Sequence, residues 1–230
     1  MWLKNQRIQQ FGGGRLERTG IAFVSAVQLL AMGSHKDKPT LQLIKRIRHE
    51  RKSLLTAFES FIVVSLARAQ SKRPGAMAEV GVFEGGSARL ICEAKGEKVL
   101  HLFDTFEGLP KATAPDRQVH RLKQFASSLE SVQAYLQDFP NVYFHKGLFP
   151  ESAAAMEELP YGFVHFDVDL YESTRACLEY FYPKMIPGGI MLSHDYSMLT
   201  GVKKAFDEFI ADKPEGLIEL PTTQCMLVKL

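Results

Sequence analysis

The chain has 230 residues, 46% hydrophobic and 23% charged, with 28 Lys plus Arg against 26 Asp plus Glu. That length buries one α/β core and is too short for two ordinary domains joined by a linker. Its cysteines, Cys92, Cys177 and Cys225, are odd in number and lack C-x-x-C spacing, which excludes a disulfide framework and a cysteine zinc site; they read as buried thiols of a cytoplasmic protein.

The charges are unevenly placed. Residues 1–75 hold 14 basic and 4 acidic residues, and residues 76–230 hold 14 basic and 22 acidic ones. A basic helical extension over 1–75 therefore precedes an acidic domain over 76–230. The extension is expected to dock on that domain or to pair two copies in a homodimer. No nucleic-acid signature accompanies the basic charge, so no nucleic-acid partner is expected. The most apolar stretch, Gly20 to Gly33, is shorter than the roughly 20 residues a spanning helix needs, and it lacks a signal peptide's entry and cleavage pattern.

Along the chain, Gly12-Gly13-Gly14 predicts a loosely packed start, and Trp2 within it carries no readable pattern. Apolar residues from Leu41 to Leu66 recur at helical spacing and predict helix over 40–70, ended by Ser71-Lys-Arg-Pro-Gly75. From Ala76 onward short apolar runs alternate with helical patterns, the form of βαβ units on a parallel sheet. Strands are predicted at Met77 to Val82, Val99 to Phe103, Val142 to His145, Phe163 to Phe166 and Gly189 to Ser193. Helices are predicted near Ser87 to Ala94, Arg117 to Gln137, Glu172 to Phe181 and Val202 to Ala211, and a closing hairpin over 217–230.

Four segments carry chemistry. Glu79-Val80-Gly81-Val82-Phe83-Glu84-Gly85-Gly86-Ser87 is a strand, a glycine turn and a helix start, where backbone can approach a ligand lying across the strand ends. Phe83 takes the place of the second glycine that a dinucleotide's pyrophosphate needs, and Ser87-Ala88 stands where a phosphate-binding loop needs Lys-Ser or Lys-Thr; hydride transfer and nucleotide hydrolysis are both disfavoured. Two glycines also occur in ordinary βα turns. In Leu102-Phe103-Asp104-Thr105-Phe106-Glu107-Gly108-Leu109-Pro110, Asp104 ends a strand where an acid can accept ribose hydroxyls, or it is a turn aspartate. The third segment, Phe163 to Thr174, holds Asp167 and Asp169 two residues apart, and the fourth, Pro187 to Tyr196, ends in His194-Asp195. In an open α/β sheet the carboxyl ends of such strands converge on one crevice. Gly147-Leu148 follows the third strand, at a second place where a loop can meet a bound ligand. His101, His145 and His165 lie in apolar strand patterns and read as packing residues.

Together the glycine turn, the D-T-F-E-G-L-P string and these two segments resemble the macrocin O-methyltransferase family over about residues 53–212. The resemblance implies a class I, Rossmann-like fold with a mostly parallel seven-stranded sheet, a C-terminal antiparallel hairpin, and S-adenosylmethionine as methyl donor. The implied acceptor is a hydroxyl of a small molecule such as a sugar or natural product. By resemblance Glu79, Gly81, Val82, Phe83, Gly85, Gly86, Ser87, Asp104, Thr105, Phe106, Gly147, Leu148 and Asp167 frame the cofactor. Asp167, His194 and Asp195 are then metal ligands, with magnesium the family's usual ion, and Asp169 is the general base. His194 departs from the family pattern, which often has Asp there; it is softer than magnesium prefers and is itself a candidate base. The reading from another class, a cofactor-binding scaffold without catalysis, is disfavoured because three carboxylates are kept at strand ends.

Overall fold

The computed structural model describes residues 15–113, 116 and 123–230. Trp2, the glycine run at 12–14 and the first residues of the helix expected near 117–137 lie outside that range. Three helices open the described chain: α1 (Arg15–Met32), α2 (Lys38–Glu50) and α3 (Ala57–Gln70). The helix expected over 40–70 is thus two. Arg51 is extended, and Thr56 with Glu59 forms a capping box that starts α3 afresh. The first-turn N–H groups of α3 are satisfied from both directions: Ala57 donates to Ser25 Oγ at 3.2 Å, Phe58 to Gln28 Oε1 at 3.0 Å and Glu59 to Thr56 Oγ1 at 3.4 Å.

Next come β1 (Ala76–Val80), α4 (Gly86–Lys95), β2 (Leu100–Asp104), α5 (Leu129–Leu136), β3 (Val142–Lys146) and β4 (Tyr161–Phe166). The chain ends through α6 (Tyr171–Phe181), β5 (Met185–Ser193), α7 (Thr200–Ile210), β6 (Leu217–Glu219) and β7 (Cys225–Val228). Residues 123–128 are not helical, so α5 is shorter than the expected span. The seven strands lie in the order β3-β2-β1-β4-β5-β7-β6, parallel from β3 to β5, with β7 antiparallel to both β5 and β6. The order reverses between β1 and β4, the switch point where an open α/β sheet parts its strand ends around a ligand.

β1 and β4 are buried along their whole length, as central parallel strands covered on both faces must be. Ile44, Ile47, Val63, Val64, Ala88, Leu90, Ile91 and Val132 fill one face with residues from α2, α3, α4 and α5, and Cys177, Leu178, Phe181 and Phe206 fill the other from α6 and α7. The boundary at residue 75 is therefore one of sequence pattern rather than of packing, since α2 and α3 share a core with the sheet. On its outer side α1 leaves Phe23, Val27 and Leu30 exposed. Among the described residues no helix is long and apolar enough to cross a membrane.

Candidate active site

A cavity of about 870 Å³ opens at the carboxyl ends of β1, β2, β4 and β5. Its walls include Gly81, Val82, Phe83, Gly86 and Ser87 of the glycine turn, Asp104 and Thr105 after β2, Gly147 and Leu148 after β3, and Asp167, Asp169, His194 and Asp195 after β4 and β5. The size suits a ligand of cofactor class. α1 contributes Gly20, Ile21 and Val24, and the α2–α3 link contributes Ser53, Leu54, Leu55 and Thr56, so the extension forms part of the wall.

The glycine turn is shaped by close contact. Gly81 has φ +84°, and a Cβ there would fall 2.0 Å from the Asp167 carbonyl oxygen. Only glycine lets β1 leave the sheet this close to β4. Gly85, the N-cap of α4, also has positive φ and gives no side-chain cap, which leaves the helix N-terminus for electron-rich groups. Asp104 fastens the turn: its Oδ2 accepts N–H from Val82 at 2.7 Å and Phe83 at 2.8 Å, and its Oδ1 accepts N–H from Phe106 at 2.7 Å. Burial raises this carboxyl above the usual range against those three bonds.

Three expected cofactor residues are not on the cavity wall. Glu79 is fully buried inside β1, where it pairs with its cross-strand neighbour His165 at 2.8 Å, because a carboxylate within a covered sheet requires an internal partner. Burial raises its pKa. Gly85 lies against Val132 and Tyr135, and Phe106 is buried in the hydrophobic core. The histidines read as packing residues do pack: His101 Nδ1 lies 2.9 Å from His145 Nε2.

Carboxylates gather at the ends of β4 and β5. One ligand atom from each of Asp167, His194 and Asp195 lies within 4.8 Å of the others. His194 Nδ1 is 3.3 Å from Asp167 Oδ1 and 3.1 Å from Asp195 Oδ2, while Nε2 is 3.4 Å from Glu59 Oε2. Burial alone would lower the His194 pKa, but Asp195, Asp167 and Glu59 together raise it well above its ordinary value. Asp169 is raised well above the carboxylate range by burial and by the charges of Asp167 and Asp195. Asp169 and Asp195 both have positive φ, +59° and +60°, an uncommon conformation for non-glycine residues that turns each side chain off the line of its strand.

Sequence reasoning missed two residues here. Glu59 reaches His194 from α3; its T-x-x-E spacing with Thr56 is readable as a capping box, but the approach to β5 is not. Asp116 is buried, and its Oδ2 accepts the Tyr171 N–H at 2.8 Å at the start of α6, tying the segment after β2 to the site end of the sheet.

Comparison with known proteins shows the family and the fold. The family model for macrocin O-methyltransferase matches residues 58–221. The 8-demethyl-8-(2,3-dimethoxy-alpha-L-rhamnosyl)-tetracenomycin-C 4'-O-methyltransferase of Streptomyces olivaceus is 30% identical over 141 residues, 54% of this chain and 54% of that protein. Matches to curated relatives span 54% to 60% of those relatives' lengths. The solved structure of the O-methyltransferase NovP is 27% identical with a TM-score of 0.69, over 77% of this chain and 81% of that one. The O-methyltransferase TomG from Streptomyces achromogenes, solved in complex with SAM, shares the fold with a TM-score of 0.59 at 16% identity, over 91% of this chain and 98% of that one. With the seven-strand order, the glycine turn and a family match over most of its length, the chain belongs to the macrocin O-methyltransferase family.

Proposed function

We propose that this protein transfers a methyl group from S-adenosylmethionine to a hydroxyl of a small natural-product or sugar acceptor. The observation that carries the reading is the joining, in one cavity, of a glycine turn at the switch point with four titratable residues from two neighbouring strand ends. The family supports it, as do the activity named for the Streptomyces olivaceus relative and the bound SAM of TomG.

The residues present fit the cofactor. The turn offers backbone and a helix N-terminus without a side-chain cap for the methionine part. Asp104, held by the backbone N–H groups of Val82, Phe83 and Phe106, lines the cavity where an acid would accept a ribose hydroxyl. Gly147 and Leu148 line the same cavity and would face the adenine. When bound, the cofactor supplies an electrophilic sulfonium methyl group for in-line displacement.

The chain's own part is to align the acceptor and take its proton. Asp169 suits the base by position, since it lines the cavity beside Asp167 and Asp195, and burial, then those two carboxylates, raise its proton affinity. His194 is the weaker candidate, because both of its ring nitrogens face carboxylates, Nδ1 toward Asp167 and Asp195 and Nε2 toward Glu59. A divalent cation also fits, on the evidence of three convergent donors and an imidazole whose second nitrogen faces a carboxylate, the usual surroundings of a metal-ligating histidine. Asp167, His194 and Asp195 would hold it, and it would supply Lewis-acid chemistry at the acceptor oxygen.

The test is incubation of purified protein with labelled S-adenosylmethionine and a panel of hydroxylated sugars and glycosides, with native mass spectrometry for retained cofactor. Label transferred to an acceptor oxygen is the expected result. Failure to bind S-adenosylmethionine or its demethylated product overturns the proposal.

A further inference from the structure

We propose that Glu59, a residue of the N-terminal helical extension, is a positioning residue that fixes the His194 ring and presents its Nδ1 to Asp167 and Asp195. What Nδ1 does there rests on the active-site reading above; the coupling of Glu59 to His194 rests on the packing.

Glu59 is bound beyond what helix capping requires. A capping box uses one carboxylate oxygen on the backbone of the N-cap residue. Here Oε2 accepts Thr56 N–H at 2.7 Å and the Thr56 hydroxyl at 2.8 Å. Oε1 accepts the Thr223 hydroxyl at 2.7 Å and its N–H at 3.2 Å, from the turn between β6 and β7. With both oxygens held from two elements, the carboxylate cannot swing away. It is 2% exposed, a costly place for a charge without a paired cation. Burial would raise its pKa, but the His194 charge and hydrogen bonding hold it far below the usual range.

His194 is 8% exposed, and neither of its ring nitrogens has an aligned hydrogen bond among the described residues. Glu59 Oε2 lies 3.4 Å from Nε2 while Asp167 and Asp195 lie 3.3 and 3.1 Å from Nδ1, so ion-pair contacts on opposite edges hold the ring between them. A carboxylate that takes the proton of one imidazole nitrogen leaves the other to face the site. Glu59 thereby connects the start of α3, the β6–β7 turn and the end of β5, and it makes the extension part of the active-site support.

The test is a double-substitution cycle with Glu59→Gln, His194→Asp and the pair, read by melting temperature and by Mn²⁺ binding in electron paramagnetic resonance. Gln keeps the capping box through its one amide oxygen, and the Thr223 bonds that its NH2 cannot accept are lost alike in both backgrounds, so the cycle cancels them. In the wild-type background Glu59→Gln should lower the melting temperature and weaken Mn²⁺ binding by about tenfold, as supporting partners of a ligating histidine do. In the His194→Asp background Glu59 faces a carboxylate, and Glu59→Gln should raise the melting temperature. That reversal supports the proposal. An equal loss in both backgrounds makes Glu59 a capping residue alone and overturns it. Wild-type protein that leaves Mn²⁺ free removes the cation reading, and the melting cycle then decides the coupling by itself.

Discussion

Asp104 accepts the backbone N–H of Phe83 at 2.8 Å, so the acid that ends β2 fastens the turn that follows β1. Phe83 has φ +50°, and this bond together with that from Val82 holds the turn in shape before any ligand arrives. Asp104→Ala should therefore act twice. It leaves three backbone N–H groups without their acceptor, which lowers stability by about 1–3 kcal/mol, and it removes the acid proposed to accept a ribose hydroxyl. Calorimetric titration with S-adenosylhomocysteine should show weaker binding, and urea melts should show the loss of stability. Unchanged binding would remove Asp104 from the cofactor site.

Gly81→Ala sets a side chain against the Asp167 carbonyl at a positive φ. Strain and overpacking together should cost about 3 kcal/mol or more. Gly20→Ala is the contrasting case: the position is inside α1, and nothing lies within 4 Å of its added carbon. There alanine should stabilise by about 0.5–1 kcal/mol through helix propensity. Thermal melts of both variants check the pair.

Asp169→Asn should separate stability from turnover. The ionised Asp169 is disfavoured by burial and by Asp167 and Asp195, so a neutral amide relieves repulsion and should raise the melting temperature. Loss of the base should lower turnover by about 10²–10⁴-fold with the cofactor-induced rise in melting temperature kept. Full turnover would pass the base assignment to His194.

Burial, then the neighbouring His145, lowers the His101 pKa to about 4. Between the ordinary histidine value of about 6.5 and that value, the unfolded chain binds a proton that the folded chain refuses. His101 therefore subtracts stability progressively as pH falls through that window and contributes no pH dependence above it. Urea midpoints measured from pH 7.5 down to 4.5 should decline, and His101→Phe should flatten the decline. An equal slope in the variant would place the acid sensitivity elsewhere.

Local pattern determined much of this protein. The period of the apolar residues marks β1 to β5, the alternation of strands and helices implies the parallel sheet, and the glycine turn, Asp104, Asp167, Asp169, His194 and Asp195 stand out because strand-end chemistry is written in consecutive residues. The break between α2 and α3 was less legible, since two amphipathic helices in sequence keep one continuous apolar rhythm and only the Thr56–Glu59 box marks the restart. What the tertiary structure alone decided are relations across distance. Glu79 looks like a cofactor ligand beside its glycine, yet the register of β1 against β4 gives it to His165. Glu59 looks like a helix cap, yet the packing of α3 beside β5 and the β6–β7 turn brings it to His194. Sequence specifies a side chain's chemistry and its local geometry; which buried charge meets which is fixed only when strands and helices pack, because the cost of leaving a buried charge unpaired selects partners from any part of the chain.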